Sequence, residues 1–169
     1  CPDPAGVADL AAALARLHEK SMLVADTTAR AGRYRLLEPL RQFGDERLAE
    51  AGEIEATRAR HLEYLTCLAE RAEPAMRGSD GQHWLEHLDD LASDIAVALG
   101  WAVRSGRVET GLRLAGAVWR YWYTRGRLQE GHDLLEPLLQ AAPDGLPPDL
   151  QAQALHAHGT LSAYLGEYG

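Results

Sequence analysis

Two histidines stand four residues apart in HWLEH, His83 and His87, a spacing that places both on one face of a helix and within reach of one metal ion. The stretch offers no third ligand and no glutamate in HExxH order, so a solvated helix face is the plainer reading. His156 and His158, in HAH, point to different helix faces. Asp89 and Asp90 adjoin no second carboxylate cluster and no basic neighbour that would divide acid and base roles between them. The chain has no GxxxxGK[ST] phosphate loop, no GxSxG elbow and no Cys-plus-His nucleophile pattern. The expectation is a chain without catalytic, cofactor-binding or metal-binding residues, hence not an enzyme.

Recognition is the other chemistry available. VWRYWYTRG, residues 118–126, gathers Trp119, Tyr121, Trp122 and Tyr123 in a chain that is only 7% aromatic. On a helix, Val108, Leu112, Ala115, Trp119 and Trp122 form one apolar stripe, and Leu114, Val118 and Tyr121 form a second. Packing on two sides is sufficient to account for the cluster, each buried aromatic contributing about 2 to 3 kcal/mol from area alone. The competing reading assigns Tyr121, Tyr123 and Arg125, with Tyr164, to a surface that binds a partner or ligand, because such rings offer a large rigid contact and a polar tip. A second candidate surface carries Arg30, Arg33, Arg35 and Arg41 around a hairpin, where arginines either hold a phosphate backbone or keep an exposed edge soluble. Asp26, Glu38 and Asp45 nearby favour the second role.

Bulk properties agree with a recognition role and weigh against nucleic-acid binding as the main task. The 169 residues are 46% hydrophobic, enough to bury a core, and carry a net charge of -8. Residues 1–60 hold 9 Lys and Arg against 10 Asp and Glu, and the rest hold 8 against 15, so any nucleic-acid contact would fall in the first third. Cys1 and Cys67 make neither a disulfide framework nor a metal spacing, as expected in the cytoplasm, and Cys67 suits a small core position. No run approaches the ~20 apolar residues of a membrane span, and no signal segment opens the chain. A start at Cys1 and a stop at GEYG suggest cuts in a longer protein.

The elements that would position these residues are mostly helical. Val7, Leu10, Leu14 and Leu17 mark an amphipathic helix over 7–19, started at Asp3 or Pro4. Met22 to Val24, a Gly-containing polar loop, and Tyr34 to Leu37 predict a hairpin, so helix plus hairpin reads as the second half of a winged helix. A helix from Glu38 stops at Gly52, and another over 54–73 aligns Ala59, Leu62, Leu65, Ala69 and Ala72 before Pro74. Residues 83–106 predict two short helices meeting near Asp90 to Ser93, with Gly106 as the stop. Gly126 and Gly166 lie 40 residues apart, each after an apolar helix and before a short polar step. Helix pairs at such a period indicate an α-solenoid, lengthened beyond the ~34 residues of the commonest such repeat by the loop DGLPPD at 144–149.

The order LARLHEKSMLV, RYRLLEPLRQFGDERLAEAGE, RHLEYLTCLAERAEP, WLEHLDDLASDIAVALGWAVRSG and GLRLAGAVWRYWYTRGRLQEG resembles one region of the bacterial signal-transduction ATPases with numerous domains, the large LuxR-type and antibiotic-regulatory-type regulators. The resemblance runs from about Leu14 to Tyr168. It implies a mainly α fold: the end of a winged-helix domain with its hairpin over 1–52, a connecting helical region over 53–106, and truncated tetratricopeptide-like repeats over 107–169. It also implies a sensor segment whose partners are the nucleotide-binding module of the parent chain and an inducer or protein held by the repeats. ATP or ADP would bind only in the upstream module, DNA would be reached only through a separate effector domain, and no membrane is involved. The alternative is a DNA-binding winged helix with a helical dimerisation arm.

Overall fold

The computed structural model describes residues 4–26 and 33–166, with the side chains of the first helix described from residue 12 onward. The elements run α1 (Pro4–Glu19), β1 (Leu23–Asp26), β2 (Arg33–Leu36), α2 (Glu38–Glu50), α3 (Ile54–Ala75), α4 (Gly81–Arg104), α5 (Val108–Thr124), α6 (Leu128–Gln140) and α7 (Pro148–Leu165). The fold is mainly α. The chain divides into two compact units, Cys1–Thr57 and Arg58–Gly169, with the boundary in the first turn of α3.

In the first unit, β1 and β2 pair antiparallel with Leu23 opposite Leu36 and Asp26 opposite Arg33, which is the hairpin expected from the sequence. A ring nitrogen of His18 lies 3.1 Å from the Leu23 carbonyl oxygen, and the same ring meets Tyr34 edge-on at 5.9 Å, tying the end of α1 to the hairpin. Leu23 is buried, whereas Met22, Val24, Tyr34, Leu36, Leu37 and Phe43 are exposed. Helix α2 buries no residue and ends where Gly52, at φ +68°, lets the Glu53 amide reach back to the Leu48 carbonyl.

The second unit is built around α5. Both of its stripes are buried, Leu112, Ala115, Trp119 and Trp122 on one side and Leu114, Val118 and Tyr121 on the other. Helix α3 contributes Leu62, Leu65, Ala69 and Ala72 to the core, and α4 contributes Leu88, Ile95, Leu99 and Ala102. Cys67 is half-buried rather than fully inside. Gly106 and Gly126, at φ +73° and +67°, close α4 and α5 with the same turn. In each, the following arginine amide (Arg107, Arg127) bonds a carbonyl five residues back (Ala102, Trp122), and the next helix starts one residue later.

Two boundaries differ from the sequence expectation. Residues 81–104 form one continuous helix rather than two meeting near Asp90 to Ser93. No proline or glycine interrupts that region, and Leu88, Ala92, Ile95 and Leu99 carry one buried stripe through it. Helix α7 begins inside the DGLPPD segment, because Pro148 at its first position gives up an amide that the first turn leaves unbonded in any case.

Candidate functional site

The last third of α5 presents different chemistry on two sides. Successive helix positions lie about 100° apart, so Tyr121 and Tyr123 cannot share a face.

Tyr121 faces inward. It is 0% exposed, its hydroxyl donates to Asp89 of α4 at 3.0 Å, and that hydroxyl accepts from Arg127 at 2.6 Å. Asp89 also pairs with Arg125 at 2.7 Å, and Arg127 with Glu130 at 3.0 Å, so two arginines and two carboxylates frame one phenol. Burial, and then the hydrogen bond to the Asp89 carboxylate, push the Tyr121 hydroxyl up to about 12. This network joins α4, α5 and the start of α6 and leaves Tyr121 no surface for a partner. Asp89 therefore does have basic neighbours, contrary to the sequence expectation. They come from the turn between α5 and α6, and adjacency along the chain could not reveal them. Arg127 and Glu130 are the members of this network that motif reading missed, and Asp89 was weighed there only as an acid beside Asp90.

Tyr123 faces outward. Its hydroxyl lies 3.1 Å from that of Tyr164 on α7, and the two rings meet edge-on at 4.9 Å. The hydrogen bond with Tyr164 raises the Tyr123 hydroxyl above its ordinary value. Behind them Trp119 is almost buried, with His156 of α7 edge-on at 5.3 Å and the Arg120 guanidinium stacked over its ring at 4.9 Å. One turn away, the Gln153 amide donates to the Gly116 carbonyl at 3.1 Å and fastens α7 to α5. Tyr123 and Tyr164 are thus brought together, Arg125 belongs to the Asp89 network, and Arg120 joins the tyrosine surface although the sequence reading passed over it.

The remaining candidates do not converge. His83 and His87 pack edge-on against Trp84, and no group of three His, Cys, Asp or Glu among the described residues could hold a metal. His158 stacks on His132 of α6 at 4.7 Å. Arg30 lies outside the described residues, as do the side chains of Arg33 and Arg35, whose backbones belong to β2. Arg41 is bound by Glu38 at 2.6 Å and Asp45 at 2.9 Å along α2, and the bond to Arg41 holds the Glu38 carboxyl below its usual value. A hollow of about 270 Å³ beside the α6–α7 loop is walled by Leu112, Leu139, Ala142 and Leu155, with Asp144 and Gln151 among its polar lining. No described helix is long and apolar enough to cross a membrane.

The chain is thus a helix-and-hairpin unit followed in sequence by a helical unit that holds a buried polar network and a tyrosine-lined surface. Over 139 residues, 82% of this chain, it is 32% identical to proteins named "Putative HTH-type transcriptional regulator": Mb0914c of Mycobacterium bovis, and MT0914 and Rv0890c of Mycobacterium tuberculosis. The matched stretch spans 15% of the length of each of these relatives. No protein-family model and no solved structure matches the chain.

Proposed function

We propose that the chain is a non-catalytic sensor segment of a multidomain, ATP-dependent, cytoplasmic transcriptional regulator of the LuxR or antibiotic-regulatory type. In this reading α1, the hairpin and α2 are the end of a winged helix that packs on the nucleotide-binding module. Helices α5 to α7 begin a tetratricopeptide-like array that binds an inducer or protein and biases the state of that module.

The observation that carries the reading is a matched pair: the hairpin unit and the glycine-closed helix pairs follow one another in a chain 32% identical to a short stretch of much longer regulators. Two structural features support it. Among the described residues of the first unit, the exposed large apolar and aromatic side chains (Met22, Val24, Tyr34, Leu36, Leu37 and Phe43) suit a contact with another module. Arg41, held by its own helix's carboxylates, is not poised for DNA phosphates, which favours the module contact over direct DNA binding.

The test uses the parent protein. A phosphate loop of GxxxxGK[ST] form should lie upstream of residue 1, and deleting residues 107–169 should change the parent's ATP hydrolysis or its response to inducer. A parent without such a loop, or one whose hydrolysis and response are indifferent to the deletion, would overturn the reading.

A further inference from the structure

Resting on the reading of α5 to α7 as a recognition segment, we propose that the Arg120–Tyr123–Tyr164 surface binds an acidic peptide segment of a partner protein, with Arg120 taking a carboxylate of that segment. Unit 2 holds 10 arginines and 15 aspartates and glutamates, and four of those arginines are paired within it. Arg77 pairs with Glu73, Arg113 with Glu70, Arg125 with Asp89 and Arg127 with Glu130. Arg120 combines two features that no other described arginine of this unit shares, a buried Nε without a hydrogen bond and no carboxylate to pair with. Among the described residues it has no carboxylate partner, its Nε is buried with nothing to bond, and its guanidinium rests on the Trp119 ring at 4.9 Å.

That posture suits an anion. Stacking on the indole fixes the guanidinium plane, so little conformational freedom remains to be lost when the outer N–H groups meet a carboxylate. The two phenols add a directional element. One hydroxyl proton is used between Tyr123 and Tyr164 at 3.1 Å, and the other remains to donate to a ligand acceptor.

The shape indicates a chain rather than a single ion. Tyr123 is 37% and Tyr164 62% exposed, on neighbouring helices. From Gly116, where Gln153 is anchored, to Tyr123 the strip extends roughly 10 Å along α5 at 1.5 Å per residue. Arginine and tyrosine beside a shielded tryptophan is also the composition in which binding energy concentrates at protein interfaces.

The experiment pans a random peptide display library against this chain and against Arg120→Gln, Arg120→Lys and Tyr164→Phe variants, with Arg113→Gln as a control and helical content checked for each. The expected result is enrichment of sequences rich in Asp and Glu. Their affinity should fall tenfold or more in Arg120→Gln, fall less in Arg120→Lys, which keeps the charge without the planar fork, and stay unchanged in Arg113→Gln. Enrichment of non-acidic peptides, no enrichment, or equal binding by Arg120→Gln with retained helicity would overturn the proposal. So would inorganic phosphate quenching Trp119 fluorescence with no peptide selected, which would mark a small-anion site. Because the assay uses this chain alone, acidic peptides selected here while the parent lacks a phosphate loop would sink the regulator reading and leave the site standing.

Discussion

Tyr121 shows how one hydroxyl can organise a helix junction. It donates to Asp89, accepts from Arg127, and is closed off from solvent, so both sides of its hydrogen-bonding capacity are used. Tyr121→Phe keeps the ring and strips the hydroxyl from the Asp89–Arg127 bridge, so it should destabilise the second unit by about 1 to 3 kcal/mol in urea unfolding. A loss near zero would mean that Arg125 and Glu130 hold the network without the phenol. The same group sets an alkaline limit. Its folded-state value of about 12 lies above the ordinary 10, so between those values the folded chain retains a proton that the unfolded chain has released. The stabilisation is therefore complete below pH 10 and disappears as pH rises toward 12. Stability followed by circular dichroism should fall through that window, and Tyr121→Phe should fall less steeply. Parallel curves for the two proteins would contradict the assignment.

At the scale of elements, close approach is controlled by glycines that look alike in the sequence and differ in their surroundings. A Cβ on Gly131 would meet the Trp122 ring at 2.8 Å, and one on Gly111 would meet a Leu138 methyl at 2.6 Å, so α5 and α6 come together where side chains are absent. Gly159, on α7, has nothing within 4 Å. Gly131→Ala should cost about 1 to 3 kcal/mol from overpacking. Gly159→Ala should instead stabilise by up to about 1 kcal/mol through helix propensity alone. Denaturant midpoints compare the two directly, and a stabilising Gly131→Ala would mean that the Trp122 contact relaxes freely. Local signals made much of this level legible. The stops at Gly52, Gly106 and Gly126, the hairpin pairing and both stripes of α5 follow from spacing and turn chemistry that a few residues contain. The site was less legible, since Asp89 meets Tyr121 across 32 positions and Tyr123 meets Tyr164 across 41. Such pairings depend on how helices pack, and no local pattern encodes them. Arg120 was passed over for the same reason: its distinction is a guanidinium laid on Trp119 with a buried, unbonded Nε, which only tertiary packing reveals.

The molecule as a whole joins two units of very different solidity. In the first, Leu23 is buried while Phe43 is 56% exposed and α2 buries nothing. In the second, α5 is enclosed on both stripes, and the largest fully buried side chains include Trp122, Tyr121, Leu112 and Leu138. Small domains that bury a modest share of their surface are marginal on their own, so the two units should not unfold together. Native-state hydrogen exchange should give the slowest amides in α5, at the opening free energy of the whole second unit, and markedly faster ones in α2 and the hairpin. A chain shortened to residues 58–169 should keep the protection of α5 nearly unchanged, because the residues that enclose that helix belong to its own unit. If α5 exchanged as fast in the shortened chain as α2 does in the intact one, the second unit would depend on the first for its fold. The weakly buried hairpin unit would then be a structural support rather than a surface awaiting its neighbour. Retained protection would instead leave the exposed apolar residues of the first unit as the part whose stability requires a contact outside this chain.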